Sequence, residues 1–463
     1  MITNIKIVGQ SRLENIIVIG AGFSGLAAAD VLSAAGKQVV ILEARDRVGG
    51  RARTEQLADD IWLDYGGQWL GPGQTEMYEL AERLGHTTWP MFVKGYVRTI
   101  FSGRIGKYRG SIPYNLPLAG QWSLLTAVAR WYWQSWRVPT SSPWKASGAA
   151  ELDAMTVGDW MRKYLPHKDA RSTFQIAIES VFAAHPDDIS LLHALFYSRS
   201  GGGFLSLTES AGGAQQDRLQ RGAQPLAESY LAVLEKRGVE CHLKQAVQRI
   251  EQQGEEVAVY SETEQFTANR VICAAPPALA AEISYVPPLP DDKLTCLQNL
   301  QPGCAIKCFA IYERPFWRSQ GWSGSVISDV APFHTCFDVT PPNEQRGILM
   351  GFIEGRDGVR ASDYSPEQRR NQFIDALVSF FGSEASKPIA YYDHTWRDDE
   401  WARGCYAGVA PVGHWTTVGY QLREPHVRIH WAGTETSTRW AGYFEGAVRA
   451  GKRAANEVLS ATP

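Results

Sequence analysis

Apolar positions along the chain change period several times, and each change marks an element. Ile16 to Ile19 form a short β-branched run suited to a buried parallel strand, and Leu26 to Ala35 place apolar and small residues at helical spacing. Gly36 stands where such a helix ends, and Val39 to Leu42 make a second apolar run. This order of strand, glycine turn, helix and strand predicts a βαβ start. Further on, "TVGDWMRKYL" and "RSTFQIAIESVFAAHPDDISLLHALFYSRS" read as helices, "GGGFLSLTESAGGAQQDRLQRGAQPL" as loop-rich, and "AESYLAVLEKRG" as a helix. Short strands are expected between Cys241 and Ile272, an apolar strand in "GCAIKCFAIYERPFW", a strand over Val427 to Trp431, and a last helix from near Gly442. Strands after helices after a βαβ opening predict that the first α/β unit is completed by distant segments.

At 463 residues the chain is long for one core, so two domains are expected. Hydrophobic residues at 44% and charged residues at 21% describe an ordinary folded protein. With Lys+Arg 46 against Asp+Glu 49 and a net charge of -3, the composition carries no footprint for nucleic acid or anionic membranes, so a small-molecule partner is expected. Seven cysteines, an odd number without a CxxC pair, fit a reduced, cytoplasmic protein with no metal site. "MITNIKIVGQSRLEN" lacks the apolar run of a signal peptide, and "ANEVLSATP" ends without an apolar tail. No segment approaches the roughly 20 apolar residues of a membrane span, so no transmembrane anchor is expected. "WSLLTAVARWYWQSWRVPTSSPWKAS" leaves two readings open: an amphipathic helix at a membrane interface, or a helix packed on a core.

The strongest chemical signal lies in the first turn. Gly20, Gly22 and Gly25 satisfy G-x-G-x-x-G, in which the glycines permit a tight turn, backbone approach to a pyrophosphate, and close helix packing. Glu43, at the end of the second strand, suits ribose hydroxyls and disfavours a 2′-phosphate. NAD and FAD share this half. The following "ARDRVGGRARTEQLADDIWLDYGGQWLGPGQ" adds Arg45, Arg51 and two Gly-Gly pairs beyond a minimal NAD site. Lys307 is the one charge in an apolar strand and either reaches water or sits in a polar pocket. Cys304 and Cys308 read as core. Gly442, Gly446, Ala447, Ala450, Gly451 and Ala454 give the last helix a narrow face, with an N-terminus suited to an anion.

Together "VIGAGFSGLAAA…ILEARDRVGGR", "GGQWLGPGQ", "ICAAPP", "AIKCFAIYERPFW", "GCY" and "WAGTETSTRWAGYFEGAVRAGKRAA" resemble the FAD-dependent amine oxidases, most closely the monoamine oxidase branch, in family order along almost the whole chain. The resemblance implies an α/β fold. A Rossmann-like FAD-binding domain of the glutathione-reductase or hydroxylase type (10–90, 220–295 and 397–463) would be interleaved with an α+β substrate domain (91–219 and 296–396). It implies cofactor contacts at Gly20, Gly22, Gly25, Glu43, Arg45, Arg51, Gly67, Gln68, Val247, Trp396, Gly433 and Thr434. Lys307 matches a lysine that holds a water against the flavin, and Tyr406 and Tyr443 match two tyrosines that cage the substrate amine. Cys405 matches a cysteine that is covalently linked to FAD in mammalian members and an unlinked thiol in others; Gln215 resembles a polar residue of the substrate cavity. The implied reaction takes a monoamine to an imine and then an aldehyde, with O2 reduced to H2O2. L-amino-acid oxidase and polyamine or diamine oxidase share the fold, and Arg439 is the arginine to watch for the former. A flavin-bearing protein without turnover is the non-enzymatic alternative. The C-terminal membrane helix of mitochondrial members has no counterpart here, and a homodimer is one open assembly.

Overall fold

The computed structural model of the chain describes residues 15–57, 61–110 and 116–461. The reading of the first residues as leader-free, and the outer domain limits at 10–14 and 462–463, lie outside the described residues.

Strand β1 (Asn15–Ile19), helix α1 (Phe23–Ala34) and strand β2 (Gln38–Leu42) form the βαβ start. Helix α1 begins three residues before Leu26 because the turn needs only Gly20 to Gly22. Gly20 has φ +99°, while Gly25 already lies inside the helix, where a Cβ would collide with the Gly20 carbonyl. The strands Glu240–His242, Arg270–Cys273 and Ile429–Trp431 complete a five-stranded parallel sheet, in which β2 and β1 are followed by Arg270–Cys273 and Ile429–Trp431 on one side and Glu240–His242 lies beyond β2. Such a sheet is covered on both faces, which is why its strands read as continuous apolar runs. The last strand starts at Ile429 and not at Val427, because Val427 has φ +55°, outside the range of strand backbone.

The terminal helix runs Phe444–Ser460 and starts after Gly442, which sits at φ +84° with its Cα pressed on the Tyr197 ring. Its small-residue face lies along α1. A Cβ on Gly451 would collide with the Ser24 carbonyl of α1, so only glycine allows this approach.

A second, seven-stranded sheet holds Ala390–Thr395, Ala305–Tyr312, Gly347–Glu354, Thr335–Asp338, Trp322–Ser328, Tyr96–Phe101 and Arg104–Tyr108 in that order. Ala305–Tyr312 and Gly347–Glu354 are buried throughout and pair antiparallel, Lys307 opposite Phe352 and Ala305 opposite Glu354. Side chains alternate across a sheet, so Ile306, Cys308 and Ala310 pack on the helix Pro366–Phe381, and Lys307 and Phe309 face the other way.

The third core is helical. Leu124, Ala127 and Trp131 of the helix Leu118–Ser135 pack with Trp160, Phe174 and Phe204, as the core reading of the Trp-rich stretch expects. Trp122, Trp133 and Trp136 point the other way and are exposed. Val409, Ala410, Trp415 and Leu422 join this core from the last third of the chain. The stretch read as loop-rich contains the helix Phe204–Thr208 and the strand Asp217–Leu219, both too short to show a period.

Gly451→Ala tests the helix contact. Alanine is the better helix former by about 1 kcal/mol, yet the collision with Ser24 should make the variant less stable by about 1–3 kcal/mol in denaturant unfolding. A gain in stability would mean that the two helices do not approach this closely.

Candidate active site

One cavity of about 550 Å³ extends from the glycine turn to the seven-stranded sheet. Every site residue expected from the sequence lines it except Gly25 and Gly433, which pack just behind its wall.

At one end the chain leaves β1 through Gly20 and Gly22, and the N-terminus of α1 opens on the cavity. Gly50 faces Gly22 so closely that a Cβ would lie 3.4 Å from the Gly22 Cα. Glu43 is buried, and its two oxygens accept from the Ala21 N–H at 2.7 Å and the Arg45 N–H at 2.9 Å. Each carboxylate oxygen retains a lone pair for a further donor such as a ribose hydroxyl. The Arg45 guanidinium is paired with Asp399, and Val247 lies on the wall between Ala246 and Gln248.

In the middle, Arg51 gathers three segments. Its guanidinium donates to Glu435 Oε1 at 2.7 Å and to the Tyr406 carbonyl at 2.8 Å, and Glu435 accepts from the Gly408 N–H at 3.2 Å. Burial alone would raise the Glu435 carboxyl, but the Arg51 guanidinium holds it below the usual range. The neighbouring Gly433 N–H donates to Ser24 Oγ at 2.8 Å, and Thr434 Oγ1 donates to the Tyr443 carbonyl at 2.8 Å. Trp396 Nε1 donates to the Tyr65 carbonyl at 2.8 Å, and a Cβ on Gly67 would lie 2.5 Å from the Phe444 ring.

At the far end Lys307 resolves its two readings in favour of a polar pocket. Its Nζ donates to the carbonyls of Asp64 at 2.5 Å and Gly66 at 3.0 Å and to Gln68 Oε1 at 2.7 Å. Burial drives its pKa well below the ordinary lysine value. Tyr406 and Tyr443 line the same end. Tyr406 meets the Phe352 ring edge-on at 6.0 Å, and Tyr443 contacts the rings of Tyr197 and Trp440. Burial pushes both phenols up, so both rings stay neutral. Cys405 joins Tyr406 through a cis peptide, and burial likewise pushes its thiol up. Gln215 lies on the wall with its Oε1 buried and without a partner, as do Trp69 Nε1 and Thr335 Oγ1.

Several residues here gave no signal in the sequence. Glu354 is the clearest: it lines the cavity, accepts from the Tyr406 hydroxyl at 2.7 Å and from Ser180 Oγ at 3.3 Å, and is 3% exposed. Burial, with Glu179 nearby adding like charge, pushes its pKa up to about 8. Asp399 and Phe352 likewise lie outside every quoted motif, while Trp69 and Glu435 fall inside "GGQWLGPGQ" and "WAGTETSTRWAG" without being singled out. The arginines on the wall are Arg45, Arg51 and Arg403, and each has a carboxylate partner. Arg439 is exposed and off the wall.

A glycine turn at a helix N-terminus, an acid with spare acceptor capacity and one uninterrupted cavity beyond them fit a dinucleotide carrying a large flat ring. The family model described as flavin containing amine oxidoreductase matches residues 23–459. The chain belongs to this family. It is 41% identical over 451 residues, 96% of each chain, to a Mycobacterium tuberculosis protein named as the flavin-containing monoamine oxidase AofH. It is 33% identical to the flavin-containing amine oxidase A of Equus caballus, covering 97% of this chain and 86% of that one. Among solved structures, cyclohexylamine oxidase from Brevibacterium oxydans matches with TM-score 0.91 and 31% identity over 96% of this chain and 98% of that one. Putrescine oxidase bound to putrescine matches with TM-score 0.92 and 29% identity over 97% and 99%. The protein is an FAD-dependent amine oxidase, with the mixed α/β fold of these enzymes. No helix of this amine oxidase, among the described residues, is long and apolar enough to cross a membrane.

Glu354 gives the oxidase a pH signature. Its folded pKa, about 8, lies above the ordinary 4.5, so the native state holds a proton that the unfolded chain releases. Its contribution is complete below about pH 4.5 and is lost as pH rises through about 8. Glu354→Gln should therefore gain stability relative to the parent across that window, by an amount on the order of 5 kcal/mol. Thermal melts at both ends of the window measure the gap, and a gap independent of pH would show that Glu354 ionises normally.

Proposed function

We propose that this amine oxidase takes a primary monoamine to its imine at the Tyr406–Tyr443 end of the cavity, with O2 reduced to H2O2 and the imine hydrolysed to aldehyde and ammonia. One observation supports the reading above the others: the cavity that starts at the glycine turn ends between neutral aromatic side chains beside a buried lysine, with no unpaired arginine on its wall among the described residues. An amino-acid substrate would ask for a cation to hold its carboxylate. Among the described residues, the amine end offers no such cation apart from the fully engaged Lys307.

Gly20, Gly22, Glu43, Arg51, Gly67, Thr434 and Trp396 would hold FAD, with Gly25 and Gly433 setting the packing behind it. Bound there, FAD supplies the two-electron acceptor for the substrate's α C–H and nitrogen. The protein's part is binding and positioning, which together account for much of the barrier reduction such enzymes achieve. Two neutral rings present π faces to the amine without an ion pair, and the apolar setting favours its unprotonated form. Of the three acceptors of Lys307, two are backbone carbonyls and one is the Gln68 side chain. A proton can be turned toward the cavity most readily at the Gln68 side, where a water would sit. The domain division at 10–90, 220–295 and 397–463 against 91–219 and 296–396 is proposed on the same footing. Its support is a nucleotide-side core drawn from residues 16–81, 219–239, 272 and 432–458. A cytoplasmic setting is supported by the seven cysteines, all of them free thiols.

The test is peroxide release in air from the yellow holoenzyme, offered phenethylamine, tryptamine, tyramine, putrescine, spermidine and a set of L-amino acids. Peroxide from the aromatic monoamines is the expected result; peroxide only from amino acids or polyamines would move the enzyme to a sister activity. In stopped flow, Lys307→Met should slow the half-reaction with O2 by about tenfold or more while changing the half-reaction with amine less. Equal slowing of both would remove the proposed role of Lys307.

A further inference from the structure

The helix Leu118–Ser135 has two apolar faces, and the protein core uses one. On the other, Leu118, Trp122, Leu125, Ala129, Trp133 and, just past the helix end, Trp136 recur every three or four residues and so form one stripe. Trp122 is 68% exposed, Trp133 58% and Trp136 64%. The stripe runs about 27 Å along the surface. Single apolar side chains on a surface need no explanation, but a contiguous stripe of this size marks an interaction site.

The charge beside the stripe is of one sign. The helix contains no Asp or Glu, while Arg130 and Arg137 stand along one flank. The Arg137 guanidinium lies 4.6 Å from the Trp133 ring centre and that of Arg199 lies 4.0 Å from Trp136. Arg130 and Lys163 both stand over Tyr164, at 4.2 and 5.3 Å. None of these four cations pairs with a carboxylate among the described residues.

This charge selects the occupant. A second copy of the chain would bring an equally carboxylate-free helix, setting arginine against arginine along the seam. A bilayer containing anionic phospholipid answers both features, since its headgroup boundary accepts leucine and tryptophan side chains and its phosphates neutralise the flanking cations. The overall charge of -3 does not oppose this, because charges more than about 8 Å away are largely screened at physiological salt. We propose that the outer face of the helix Leu118–Ser135 is a peripheral docking surface for an anionic phospholipid bilayer, laying this helix along the headgroup boundary.

The holoenzyme is sedimented with sucrose-loaded vesicles of phosphatidylcholine and phosphatidylglycerol in a three-to-one ratio, and with vesicles of phosphatidylcholine alone. Binding to the anionic vesicles should exceed binding to neutral ones by about tenfold or more and should weaken with added salt. The double variant W122S/W133S should remain in the supernatant, and R130Q/R137Q should lose about tenfold or more in affinity. All four positions are exposed, so flavin absorbance and thermal melting should match the parent. Absence of the parent enzyme from both pellets would overturn the proposal, as would binding that W122S/W133S leaves intact. A parent dimer in sedimentation velocity that W122S/W133S converts to monomer would assign the stripe to a second copy instead. If W122S/W133S does not fold, the parent's preference between the two vesicle types still decides: equal or absent binding rejects the surface.

Discussion

The active site depends on one ion pair, between a buried carboxylate and a half-buried guanidinium. Arg51, just after the glycine turn, reaches Glu435 near the end of the chain, and both of them reach the loop that carries Cys405 and Tyr406. Three stretches far apart in sequence thus meet at one guanidinium and one carboxylate. Such a pair adds little net stability, because its attraction is offset by the desolvation of Glu435 and part of Arg51, but loss of Arg51 leaves Glu435 an uncompensated buried charge at a cost of about 3–5 kcal/mol. Its contribution is therefore geometric. It sets the Tyr406 backbone at a fixed distance from the turn that begins the cavity, and the position of the aromatic end follows from it.

The close contact of α1 with the terminal helix serves the same end. Gly451 lets the helices touch at Ser24, and Ser24 Oγ in turn accepts from the Gly433 N–H. The turn holding Glu435 is thereby fixed from the helix side as well as through Arg51. Gly442, at φ +84° against Tyr197, completes the support by aiming Tyr443 into the cavity before the helix begins. A methyl group at these contacts would shift the site as a unit, because the interior is too densely packed to absorb it locally.

Parts of this architecture that rest on local rules were legible in the sequence. The glycine turn was, because backbone crowding demands glycine at fixed spacing; Lys307 was only in part, because a charge inside an apolar strand either reaches water or finds a partner and the pattern does not say which. The partners themselves were not. Gln68 and the Asp64 and Gly66 carbonyls lie more than two hundred residues from Lys307, and no periodicity connects them. Glu354 ends the buried strand Gly347–Glu354, for which no sequence signal was read, and its pairing opposite Ala305 sets it on the cavity side. Val427 and Gly442 show the finer limit, since each element end was set by a positive φ that apolar pattern does not report. The Trp-rich helix was half legible: its pattern fits a core helix and an amphipathic one because it has an apolar face for each.

Charge is distributed unequally along the cavity, and the distribution bears on which form of the substrate is bound. Near the glycine turn, arginines and carboxylates neutralise one another in pairs, so an anionic diphosphate meets oriented backbone dipoles more than free cations. At the Tyr406–Tyr443 end the aromatic groups are neutral, Lys307 is saturated and pressed toward its uncharged form, and Glu354 is held toward its protonated form by burial. An ammonium arriving there would lose its hydration with few charges to replace it, whereas a neutral amine gives up much less and keeps its lone pair for the chemistry. Glu354, hydrogen-bonded to the Tyr406 hydroxyl, has its pKa pushed up to about 8 by burial, so its charge can change near physiological pH. In its ionised form it would add an attractive site for a cation behind the Tyr406 ring, and in its neutral form it would leave the proposed amine site to π faces alone. The balance between these two states, set by burial against the Tyr406 hydrogen bond, would connect the protonation of a wall residue to the kind of amine bound at the proposed site.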